Sequence, residues 1–105
     1  MRLSIVVKYT FEAIHCWENC NIEEVSFLKD KHRHIFYVEA IKEVYHTDRD
    51  IEIIKLKREM EAYSKRKLDY GTNSCEDIAV DLLNEFKLIS CQVLEDNENG
   101  AKIEL

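Results

Sequence analysis

Proline is absent from this chain of 105 residues, and glycine occurs only at Gly71 and Gly100. A chain so poor in both is neither a disordered tract nor a low-complexity linker. No apolar run approaches the length of about 18 residues that a membrane-crossing helix needs. Around Ile5, Val6 and Val7 there is no long apolar core and no small-residue cleavage site, so a secretory signal is not expected. No CxxC pair joins the four cysteines, Cys16, Cys20, Cys75 and Cys91. Free thiols in a reducing, cytoplasmic setting are therefore expected. Net positive charge is lacking as well: the balance is -6, a poor start for a nucleic-acid binder.

The composition is otherwise that of one small domain spanning residues 1–105, with 46% hydrophobic residues to build a modest core. Such a core gains from oligomerisation. Two basic clusters run against the acidic average, Lys29-Asp30-Lys31-His32-Arg33-His34 and Lys65-Arg66-Lys67. Short charge runs commonly end as solvated faces; the alternative is an anionic ligand held near the histidines.

Periodicity orders the chain. Leu3, Ile5 and Val7 alternate with Ser4, Val6 and Lys8, a strand over about 2–14. Residues 16–31 show no period and read as a long loop. From 32 to 45 alternation returns, with His34, Phe36, Val38 and Ala40 on one face and Ile35, Tyr37, Glu39 and Ile41 on the other. After a polar connection, Ile53, Leu56, Met60 and Tyr63 form one helical stripe, predicting a helix to Arg66 or Lys67. Asn73 or Ser74 caps a second helix with Glu76 and Asp77 in its first turn and a ridge of Ile78, Leu82 and Phe86. Residues 88–95 return to strand, residues 96–100 end in Asn-Gly as a hairpin turn, and 101–105 form a last short strand. The order is β-β-α-α-β-β, an α+β fold with both helices on one face of a four-stranded antiparallel sheet. Its open edges favour subunits that pair along them.

Three histidines stand out. His32 and His34 project from one face of their strand, Arg33 from the other. If the Phe11–His15 segment runs beside that strand, His15 joins them. Three neutral imidazoles at one point make a catalytic-type zinc set with a fourth position open. The same H-x-H also suits the polar half of an exposed strand, and the residues alone leave both readings open. A finger-like site of Cys16, Cys20, His32 and His34 is disfavoured, because H-x-H is tighter than the usual H-x(3–5)-H spacing. Cys75 and Cys91 fall on apolar faces and read as core; His46 reads as solvated.

Taken in order, the motifs resemble those of the 6-pyruvoyl-tetrahydropterin synthase and 6-carboxytetrahydropterin synthase family. Phe11-Glu12-Ala13-Ile14-His15 is similar to its F-x-A-x-H, and His32-Arg33-His34 before Ile35-Phe36-Tyr37-Val38 to its H-G-H-x-Y-x-V strand. The run from Asp50 to Lys57 resembles V-x-D-F-x-x-L-K, with Glu52 for the aspartate. Leu68-Asp69-Tyr70 resembles L-D-H, Asn73-Ser74-Cys75-Glu76 resembles P-T-x-E, and Val93-Leu94-Glu95 resembles the strand ending in a pterin-anchoring glutamate. The resemblance implies the tunnelling T-fold, a homo-oligomer (trimer or hexamer), and a lyase in a tetrahydropterin or 7-deazaguanine pathway. It implies zinc on His15, His32 and His34, and a pterin substrate, usually 7,8-dihydroneopterin triphosphate, anchored by Glu95. The basic stretch 29–33 would then neighbour the triphosphate. Asp69 becomes a candidate for the proton relay.

The chain departs from that pattern at the relay. The family's cysteine shortly before H-x-H has no counterpart in Ser26-Phe27-Leu28-Lys29-Asp30-Lys31; Cys20, twelve residues before His32, is the candidate thiol, with Cys16 beside His15 as the other one in reach, and either needs an unusual loop path. Tyr70 stands where the family has its catalytic histidine. The competing expectation is therefore a non-catalytic T-fold module that holds a pterin, a purine or a protein partner.

Overall fold

Alternation over the two longest strand patterns becomes β1 (Leu3–His15) and β2 (His32–Val44) in a computed structural model that describes residues 1–105. Two helices, α1 (Ile53–Ser64) and α2 (Cys75–Phe86), and a hairpin of β3 (Ser90–Glu95) and β4 (Asn99–Glu104) complete the fold. All four strands are antiparallel, in the spatial order β1-β2-β3-β4. The α+β class and the four-stranded antiparallel sheet agree with the sequence reading, and the order of elements fits it roughly, with a 3-10 segment between β1 and β2.

One face of the sheet carries the core. Val7, Tyr9 and Phe11 of β1 lie opposite Ala40, Val38 and Phe36 of β2, and Val93 and Cys91 of β3 continue the rows. Against this face pack Leu56 and Met60 of α1 and Ile78, Ala79, Leu82 and Leu83 of α2. Phe11 stacks on Phe36 with ring centroids 5.2 Å apart. The opposite face has no helix over it and leaves Val6, Ile35 and Tyr37 exposed.

Several boundaries differ from expectation, each for a local reason. Residues 16–31 are not wholly loop: Glu23–Lys29 forms a 3-10 segment with no buried residue, so it leaves no apolar period to read. Helix α1 stops at Ser64, short of Arg66, because Ser64 is drawn into the core. Its hydroxyl meets that of Tyr9 at 2.8 Å, and its carbonyl accepts from the Tyr70 hydroxyl at 2.5 Å. Strand β3 starts at Ser90 rather than 88, since Lys87 adopts a left-handed conformation and Leu88 N donates back to Leu83 O. The hairpin turn is made by Asp96 and Asn97, both at positive φ, with Glu98 N donating to Glu95 O at 2.9 Å. Asn99 and Gly100, read as the turn, already belong to β4, and Gly100 is needed there for another reason. A Cβ would sit 1.8 Å from Val93 O, so the strands close only over a glycine.

Because β3 pairs only with residues 36–41 of β2, the His32 end of the sheet is left to β1 and β2. Beside it runs the segment after α1. Ile14 N donates to Leu68 O at 2.9 Å, Tyr70 N to Ile14 O at 2.8 Å, and Cys16 N to Gly71 O at 2.8 Å.

Phe36 is fully buried on the core face, while its neighbour Ile35 is 40% exposed on the other. Phe36→Ala is expected to cost about 3–5 kcal/mol of stability, and Ile35→Ala within about 0.5 kcal/mol. Urea unfolding of the two variants checks the register: similar losses would contradict it.

Candidate metal centre

The register that builds the core also builds the site. His15 lies opposite His32, Ala13 opposite His34, and Phe36 opposite Glu95. His15, His32, His34 and Glu95 therefore continue the core face at the end where the helices no longer cover it. One potential ligand atom from each lies within 4.8 Å of all the others. His15 is buried and the other three are half-buried.

The outer side of each imidazole is already committed. His15 Nδ1 donates to Asn73 O at 2.8 Å, His32 Nδ1 to Asp30 O at 2.8 Å, and His34 Nδ1 to Asp96 Oδ2 at 2.7 Å. Carbonyls and carboxylates only accept, so these bonds place the proton on Nδ1 and leave the Nε2 lone pairs facing one another. This is how ligating histidines are oriented in metal sites. His15 Nε2 is buried and has no hydrogen-bond partner. Glu95 Oε2 comes within 2.9 Å of it but not along the line a hydrogen bond needs, and lies 3.5 Å from His34 Nε2. A carboxylate oxygen so near two imidazole lone pairs calls for a positive charge between them, a proton or a metal ion. The donor set of three neutral imidazoles and one carboxylate fits a divalent transition metal.

Asp96 does three things at once. Besides orienting His34, its other oxygen accepts from Ile35 N at 3.0 Å, and its backbone N donates to Ile35 O. The His34 contact first, and the Ile35 amide second, hold its carboxyl below the usual range. Nothing in the sequence marked Asp96 beyond its place in a turn. The Asn73 carbonyl was equally invisible, because a backbone atom leaves no trace in residue type.

A cavity of about 600 Å³ opens beside the cluster, lined by His15, His32, Glu95, Trp17 and Leu28, with the start of α2 forming part of its wall. The Cys75 thiol, read as core, is buried in that wall. Burial first, and the Glu95 charge second, push it up to about 12.

Other candidates lie elsewhere. The Cys20 thiol is buried in its own loop, bonding weakly to Ile22 O and Val25 O at 3.7 and 3.6 Å, away from the cavity lining. Asp69 pairs with Lys31 and accepts from Gly71 N at 2.8 Å. Lys31 first, and the Gly71 amide second, hold its carboxyl low. It does not line the cavity. Tyr70 is buried with its hydroxyl bonded to Ser64 O. His46 is exposed, as read. Glu95, expected at the pterin edge, sits within the histidine cluster and also faces the cavity.

No protein-family model matches the chain, and no curated protein matches it. Fold and site together define an α+β protein with a candidate mononuclear metal centre of three histidines and a glutamate.

Removing the Asp96 carboxylate frees the His34 ring, so Asp96→Ala is expected to weaken metal binding by about 10–100-fold. His46→Ala serves as the control that leaves it unchanged. Competition against a chelator measures both; equal affinities would mean that Asp96 does not orient the site.

Proposed function

We propose that the chain is a zinc-dependent lyase of the pterin synthase type, built on the tunnelling T-fold and acting on 7,8-dihydroneopterin triphosphate or a close relative of it. The observation that carries this reading is the convergence of three Nε2 atoms whose Nδ1 partners are all fixed. Zinc bound there would polarise a substrate oxygen and ease loss of a proton from the neighbouring carbon. His15, His32 and His34 would hold it, with Glu95 as fourth ligand or as the group that leaves it for substrate. A carboxylate accepts two parallel N–H bonds from a pterin-like edge. Trp17 and Leu28 offer apolar area for the flat ring.

The edges support assembly. Strand β4 has an unpaired outer edge, that of β1 is met only near Ile14 by the segment after α1, and the sheet face bearing Val6, Ile35 and Tyr37 is uncovered. Subunits pairing along these edges would form a trimer or hexamer. No helix is long and apolar enough to cross a membrane. The four cysteines are free, in keeping with a cytoplasmic protein.

One observation favours a second reading, a binding module that keeps the fold and metal without turnover. The two positions expected to serve a pterin synthase relay are turned away from the cavity: Cys20 into its loop and Tyr70, in place of the histidine, into the core.

His32→Ala separates the readings. For the enzyme, metal content falls from about one per chain, pterin turnover is lost, and thermal unfolding of the remaining oligomer is little changed. Metal binding by the wild type with no turnover of pterin supports the module. Unfolding of the variant would make the metal structural.

A further inference from the structure

His15 and His32 form the last pair of the β1–β2 ladder, and element ends are where a structure opens first. Little in the sheet holds this end. Strand β3 pairs only with residues 36–41 of β2, and Asp96 grips β2 no further out than His34 and Ile35. The two strands are joined by residues 16–31, far too long a connection to act as a tight hairpin turn. The 3-10 segment within it buries no residue. A metal centre that needs His32 Nε2 at a fixed place needs another tie here.

One contact supplies it. Lys31, the residue before β2, passes the end of β1 and pairs with Asp69. Asp69 lies on the other side of β1, bridged to Ile14 in parallel, and the bonds of Ile14 N, Tyr70 N and Cys16 N bind that segment to the chain around Ile14. The second Asp69 oxygen accepts from Gly71 N at 2.8 Å, so the carboxylate is itself fixed. Each end of the pair stands in a stretch that orients a histidine. Lys31 lies between His32 and Asp30, whose carbonyl accepts from His32 Nδ1. Asp69 leads into Asn73, whose carbonyl accepts from His15 Nδ1 and whose N–H donates to Tyr70 O at 3.1 Å. Arg33 pairs with Glu12 and ties β2 to β1 alone. Lys31–Asp69 instead joins the two stretches that supply these carbonyls.

We infer, on the basis of the metal-centre reading above, that Lys31 and Asp69 are positioning residues: their ion pair is a clasp across the end of β1 that keeps His32 against His15, so that a metal ion meets a preformed site. Ordering that is already in place is not charged against binding. An exposed ion pair adds little to global stability, so the clasp acts on local order at the ladder end. Asp69 thereby has a task other than proton relay, and Lys31 a task other than phosphate binding.

Zinc affinity, read by competition with a chromophoric chelator, tests the clasp without any substrate. Lys31→Met is expected to weaken zinc binding by about three- to fivefold. Asp69→Asn, which keeps an acceptor for Gly71 N, should cost a similar factor, and the double variant no more than either alone. Lys31→Arg should restore wild-type affinity. Thermal unfolding of the metal-free forms should stay unchanged. Unaltered affinity in Lys31→Met overturns the clasp and leaves the zinc reading standing, whereas a wild type that binds no zinc overturns both. Losses that add in the double variant, or that Lys31→Arg does not restore, overturn the ion pair as their cause. A matching fall in the stability of the metal-free protein makes the pair a general support of the fold and overturns the positioning role.

Discussion

The pairing of β1 with β2 is the constraint on which the rest depends. One antiparallel register sets Phe11 against Phe36 in the core and His15 against His32 at its end. Side chains alternate along a strand, so a slip of one residue would turn the apolar row to solvent and scatter the histidines over both faces. The candidate metal site is thus specified by the same burial that specifies the fold. The stack of Phe11 on Phe36 and the edge contacts of His15 and His34 with Phe36 join the two regions without a gap.

Around that row the structure surrounds each imidazole from outside the sheet. The segment after α1 runs beside β1 and brings the Asn73 carbonyl to His15. The left-handed turn after β3 brings Asp96 to His34. The residue two before His32 supplies its carbonyl. Three different elements thereby fix three tautomers, and all three leave Nε2 free toward a common space. The cost of leaving His15 Nε2 buried and unpaired makes sense only where a ligand relieves it.

Much of this was legible before any coordinates. Strand alternation gave the shared face of His32 and His34, and the F-x-A-x-H pattern put His15 in phase with them. Their partners were not legible. Asp96 looked like a turn residue, the carbonyls of Asn73 and Asp30 have no sequence signature, and Cys75 reads as core because it is buried. The basic stretch before His34 suggested an anion, but alternation sends Arg33 to the far face and Asp69 takes Lys31. Proximity along the chain to a site is not proximity to its cavity when the intervening residues alternate. The 3-10 segment Glu23–Lys29 escaped because it buries nothing.

X-ray absorption at the metal edge, together with metal content, bears most directly on the central claim. The account expects about one zinc per chain with a first shell of nitrogen and oxygen only, at about 2.0–2.2 Å, and the outer-shell scattering of several imidazoles. A sulfur scatterer at about 2.3 Å would move the site to Cys16 or Cys75, both of which line the same cavity. That result, or a chain that retains no metal, would contradict the convergence of His15, His32, His34 and Glu95 on a single ion.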